Sequence, residues 1–122
     1  MNFDLDKMYC GAIRRGDVFI CEIDDKKERP VVVLQDNVLN EGMATVICAA
    51  VAPFNGDEVL VNEVLLKKTE TGLGKDSVCA LHKIFTVDRR FMISKKGELK
   101  KDKLQEVYKA LDISLGRFRD RK

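Results

Sequence analysis

The sequence predicts a mainly β domain of the α+β class, in which several short strands come first and one α-helix comes last. Three observations predict this. Runs rich in Val, Ile, Phe and Cys alternate with turn residues from Asp17 to about Ser94, the pattern of short strands joined by tight connections. After them, Leu104, Val107, Tyr108, Leu111 and Leu115 fall on one stripe at the helical period. Finally, 122 residues with 45% hydrophobic and 34% charged side chains suit one globular domain with a well-solvated surface. Short strands in such a chain imply a strongly curved sheet or small barrel, with the helix laid on it to bury its stripe.

The elements follow in order. Residues 1–13 read as a lead-in, with acids first and no apolar segment of the kind a secretory signal carries. Arg15-Gly16-Asp17 is turn chemistry, and Val18 to Ile23 is the first strand. Asp24 to Glu28 is a polar connection. Arg29-Pro30 opens the next strand, because the residue before proline is pushed towards extended backbone. Val31-Val32-Val33-Leu34-Gln35 shows no alternation and is predicted to be central and buried on both faces. Asp36 to Gly42 is a loop with room for one helical turn, and Thr45 to Ala52 is a third strand ended by Pro53. Glu58 to Val61 reads as a fourth strand. Residues 62–76 are ambiguous, with Leu65-Leu66 at helical spacing before the breakers Gly72 and Gly74. A long strand runs from Ser77 to Val87, a short element covers Arg89 to Ser94, and Gly116 is a natural stop for the helix.

Charge and cysteines narrow the class of function. Residues 1–88 carry a balance of −5 and residues 89–122 one of +7, so the net +2 hides a basic C-terminal third. No stretch approaches the roughly 20 apolar residues of a transmembrane helix. The four cysteines, at 10, 21, 48 and 79, have no C-x-x-C spacing, and three lie in apolar runs. They read as reduced, mostly buried side chains of a cytoplasmic protein rather than a metal site or a disulfide framework.

The segment order resembles the MazF/PemK family of toxins from bacterial toxin–antitoxin pairs. The resemblance runs from Arg15-Gly16-Asp17-Val18-Phe19 through Arg29-Pro30-Val31-Val32-Val33-Leu34-Gln35-Asp36 and Thr45-Val46-Ile47-Cys48-Ala49-Ala50-Val51. It continues in Lys75-Asp76-Ser77-Val78, Thr86-Val87-Asp88 and Leu111-Asp112-Ile113-Ser114-Leu115-Gly116. It implies a toxin domain over residues 14–116, followed by a basic tail at 117–122. It also implies an SH3-like, strongly twisted β-barrel that forms a two-fold homodimer. The implied activity is metal-independent cleavage of single-stranded RNA, and the implied partner is an antitoxin whose acidic, disordered C-terminal segment blocks the RNA groove.

Such cleavage uses the 2′-hydroxyl as nucleophile, so the protein must move protons and stabilise charge on the phosphoryl oxygens. A guanidinium suits the second task, since its planar fork binds phosphate bidentately and does not deprotonate. Arg29 stands at the family's catalytic arginine. The family's Thr or Ser at the end of the third strand is here Ala52, which can donate nothing. Thr45, the strand's one hydroxyl, lies some 20 Å away along it at about 3.3 Å per residue and cannot substitute. His82, the single histidine, stands where the family commonly has an acid and is a candidate for proton transfer. Gln35, Lys83 and Phe85 are candidates to line the RNA groove, Lys83 by neutralising phosphate and Phe85 by stacking on a base. Core packing is the competing role for Phe85. The shortened connection at 24–28 departs from the family's longer loop.

Overall fold

In the computed structural model the described residues are 7–23 and 27–120. Among them the chain forms strands β1 (Asp17–Ile23), β2 (Lys27–Val33), β3 (Thr45–Pro53), β4 (Glu63–Leu66), β5 (Ser77–Asp88) and β6 (Met92–Glu98). Helix α1 (Asn37–Gly42) joins β2 to β3, α2 (Lys68–Thr71) joins β4 to β5, and α3 (Lys101–Leu115) follows β6. Single 3₁₀ turns occupy Arg89–Phe91 and Arg117–Asp120. All pairings are antiparallel, in the order β4-β5-β3-β2-β1-β6.

The unbroken apolar run Val31-Val32-Val33 explains the centre of this sheet. All three side chains are fully buried, because β2 lies between β1 and β3 and each sheet face carries its own core. On one face Val18, Val32, Ala49, Val64, Leu66, Cys79 and Leu81 pack under Leu104, Val107, Ala110 and Leu111 of α3. The predicted stripe is therefore the docking face of α3, although its last member, Leu115, stays exposed. Gly116 ends the helix in the left-handed region at φ 65°, where glycine has no Cβ to clash. On the opposite face Phe19, Cys21, Val31, Val33, Val46, Cys48 and Val87 pack with Ile13 and Met92. Tyr9 meets the Phe19 ring edge-on at 4.9 Å. The segment before the first strand thus supplies part of this second core.

The sheet curls until its two edges nearly meet. Thr71 and Gly72, just after β4, press on β6 at the other edge. A Cβ at Gly72 would sit 2.1 Å from the Lys96 carbonyl oxygen, and one at Gly97 would sit 2.7 Å from that of Thr71. Two glycines thus let the backbones touch where the barrel closes.

Two expectations are corrected. Glu58 to Val61 is loop, and the fourth strand is Glu63–Leu66. There Val64 and Leu66 point into the core at the strand period, so the helical spacing read for Leu65-Leu66 does not hold. β6 also runs through Gly97, which pairs with Val18, instead of ending before it. The connection expected at Asp24 to Glu28 lies partly outside the described residues, and Lys27 and Glu28 already belong to β2.

Candidate active site

The second sheet face continues past its core towards the ends of β2 and β3, where it opens to solvent. Val31 pairs with Ala50. Arg29 lies two residues before Val31 on β2 and Ala52 two residues after Ala50 on β3, so by strand alternation both side chains belong to this same face. On its other side Arg29 pairs with Cys21 of β1. Cys21 is fully buried, and burial pushes its thiol up to about 11, so it holds no charge at neutral pH. The Arg29 side chain is exposed and forms no ion pair or hydrogen bond with any described residue.

Beside Ala52 the face is floored by small side chains. Ala52 pairs with Val78, and Ala50 with Ala80, across β3 and β5. With the β3–β4 loop folded over them, these residues bound a cavity of about 350 Å³. The loop is tied down at both ends: Phe54 N–H donates to the Asp76 carbonyl oxygen, and Leu81 N–H to that of Asn62. Phe54, Asp57, Glu58, Glu63 and Lys83 also line the cavity.

Lys83 reaches this cavity because β5 is bulged. The register jumps from Ala49–Ile84 to Ala50–Ala80, so Leu81, His82 and Lys83 have no partners on β3. Such bulges re-aim side chains near functional sites. Leu81 turns into the α3 core, Lys83 turns to the cavity, and His82 is exposed next to them without lining it. Thr45 pairs with Asp88 at the far end of β3, as the spacing required.

Two expected groove residues are placed elsewhere. Gln35 is 4% exposed. Its amide nitrogen donates to Asn40 Oδ1 at 2.9 Å and to the Thr45 carbonyl oxygen at 2.8 Å, and its carbonyl accepts from Ile47 N–H at 3.3 Å. Asn40 Nδ2 donates to the Gln35 main-chain carbonyl oxygen, and Arg89 Nη1 donates to the Asn40 main-chain carbonyl oxygen at 2.8 Å. Gln35 therefore locks α1 to β3 and presents nothing to a groove. Gln35→Leu should cost roughly 1–3 kcal/mol, because it leaves Asn40 and two backbone groups unsatisfied. Thermal unfolding would read that loss, and an unchanged midpoint would refute the structural role. Phe85, opposite Cys48, is half-buried against the second core, so the packing role holds there.

The acidic wall of the cavity was missed in the sequence, because Glu58 to Val61 read as a strand. The one available signal was the acid content of residues 57–63. Among the described residues no group of three or more His, Cys, Asp or Glu side chains could hold a metal ion, and no helix is long and apolar enough to cross a membrane.

The comparisons with known proteins agree with this architecture. A family model described as a PemK-like, MazF-like toxin of type II toxin–antitoxin systems matches residues 14–115. An endoribonuclease MazF from Staphylococcus epidermidis is 36% identical over 110 residues, covering 85% of this chain and 92% of its own. Among solved structures, a mycobacterial endoribonuclease in complex with its cognate antitoxin superposes with a TM-score of 0.76 at 18% identity, covering 86% of this chain and 96% of its own. A MazE–MazF complex from Deinococcus radiodurans gives 0.70 at 20% identity, covering 87% and 97%. The chain belongs to the PemK-like, MazF-like family of type II toxins.

Proposed function

We propose that this chain is the toxin of a type II toxin–antitoxin pair and an endoribonuclease that cleaves single-stranded RNA in the cytoplasm without a metal ion. It works as a homodimer and is silenced by an antitoxin with an acidic, disordered segment. The observation that carries the reading is Arg29, an exposed guanidinium without a counter-ion among the described residues, on the sheet face whose Ala50 and Ala52 floor a cavity. In this mechanism Arg29 holds the non-bridging oxygens of the scissile phosphate and takes up the charge that develops as the 2′-oxygen attacks. Lys83 neutralises a neighbouring phosphate, and His82, beside it in the bulge, moves protons to or from the reacting oxygens.

A purified sample incubated with long RNA in EDTA should give discrete cut ends and should sediment as a dimer. Loss of cutting on chelation, restored by Mg²⁺ or Zn²⁺, would overturn the mechanism.

Ala52 favours a second reading. It places a methyl group in the cavity wall where the family carries a hydroxyl. On that reading the chain is an attenuated nuclease, or a toxin-fold protein that acts by binding. Binding of an acidic disordered peptide without any cutting would select it.

A further inference from the structure

We infer that the cavity between β3, β5 and the β3–β4 loop is a base-reading subsite, and that it selects guanine beside the scissile phosphate. The inference rests on the nuclease reading and deepens it.

The cavity, at about 350 Å³, is of the size that small-molecule sites take. Its floor is Ala50, Ala52, Val78 and Ala80, small side chains on one sheet face that leave room for a flat ring. Phe54 adds an aromatic wall of the kind that unpaired bases stack on. Ala52 belongs to the sheet face that also carries Arg29, so this floor shares a face with the proposed phosphate site. An extruded base one or two nucleotides from the cut would therefore enter it.

The polar lining decides which base. Asp57, Glu58 and Glu63 line the wall with carboxylate oxygens, which serve as hydrogen-bond acceptors. One Glu63 oxygen already accepts from Leu60 N–H at 2.9 Å, which fixes that side chain and leaves its second oxygen for a ligand. Guanine presents two adjacent N–H donors on its Watson–Crick edge, which a carboxylate takes up together. Adenine and cytosine present one donor beside an acceptor. Uracil presents one donor between two acceptors, which this wall repels. Lys83 supplies the single cationic donor, suited to a flanking phosphate or to guanine O6.

The test maps cut sites on long RNA in EDTA. It also measures binding of short single-stranded oligoribonucleotides that differ only in one G, A, C or U. The expected result is guanine enrichment within two nucleotides of the cut, with tighter binding of the G-containing oligonucleotide. Preference should fall on the order of 10- to 100-fold when Glu63→Gln is combined with Asp57→Asn. Glu63→Gln retains the carbonyl that accepts from Leu60, and a circular-dichroism melt checks that the pair of substitutions leaves the fold intact. Cutting with no guanine enrichment, or enrichment untouched in the folded double variant, overturns the subsite and leaves the nuclease reading standing. If the protein neither cuts nor binds any of these RNAs, the nuclease reading fails and takes the subsite with it.

Discussion

Arg29→Ala is expected to abolish RNA cleavage, by about 10³-fold or more, while leaving the melting temperature nearly unchanged. The loss follows from removing the one charge aimed at the phosphate, which no neutral group replaces. The stability follows from exposure and from the lack of any intramolecular partner among the described residues. Ala52→Thr should act in the opposite direction. A hydroxyl on the sheet face that carries Arg29 adds a transition-state donor, with an expected gain of about 10- to 1000-fold. His82→Ala should lower the rate by about 10²-fold if the imidazole moves protons. The three variants are best measured singly and in pairs, because groups acting on one phosphate are not additive. Continued cutting by Arg29→Ala would place the active site elsewhere.

Gly72→Ala is expected to cause the largest loss of stability of any single-methyl change discussed here. Gly72 sits at φ 73°, where an L-residue costs roughly 1–2 kcal/mol. Its new Cβ would lie 2.1 Å from a backbone oxygen that cannot rotate away. Prying α2 off β6 adds roughly 1–3 kcal/mol, so the total should be about 2–5 kcal/mol. Chemical denaturation should show a lower midpoint with a similar slope. Gly74→Ala is the control: φ is also positive, at 88°, but nothing stands within 4 Å of its Cβ. Equal losses at both positions would show that backbone strain alone, and not the closure contact, sets the cost.

The parts of the fold legible in the sequence were those with one dominant physical signal. Val31-Val32-Val33 could satisfy three consecutive apolar side chains only between two neighbours, and the α3 stripe could be buried only on a sheet. The region from Phe54 to Leu66 was misread because its β-rich run, Val59-Leu60-Val61, competes with the alternation of Val64 and Leu66 just beyond it. The strand formed where two side chains could enter the core, and propensity without burial gave a loop. The site was legible only in part. The sequence singles out Arg29 and Lys83, the first through the family's motif, and the fold leaves both exposed. The β5 bulge that turns Lys83 to the cavity has no local mark, since Ser77 to Val87 reads as one continuous strand. Gln35 was misassigned because a polar residue ending an apolar run looks the same whether it serves a groove or a buried network. Only its contact with Asn40 separates the two.

The pairing of β1 with β6 bears on how a cell could make such a protein safely. Asp17 reaches its partner Glu98 only after nearly the whole domain has been synthesised, and the α2 contact with Gly97 waits for the same stretch. Until then β1 is an unpaired edge, and the strands bearing Arg29 and Ala52 belong to an open sheet with neither its closure nor α3 behind it. Long-range pairings of this kind form late and slowly. A ribosome translating this chain therefore holds an unfinished sheet through most of elongation. The rigid sheet that carries Arg29 arises only when β6 and α3 have cleared the exit tunnel.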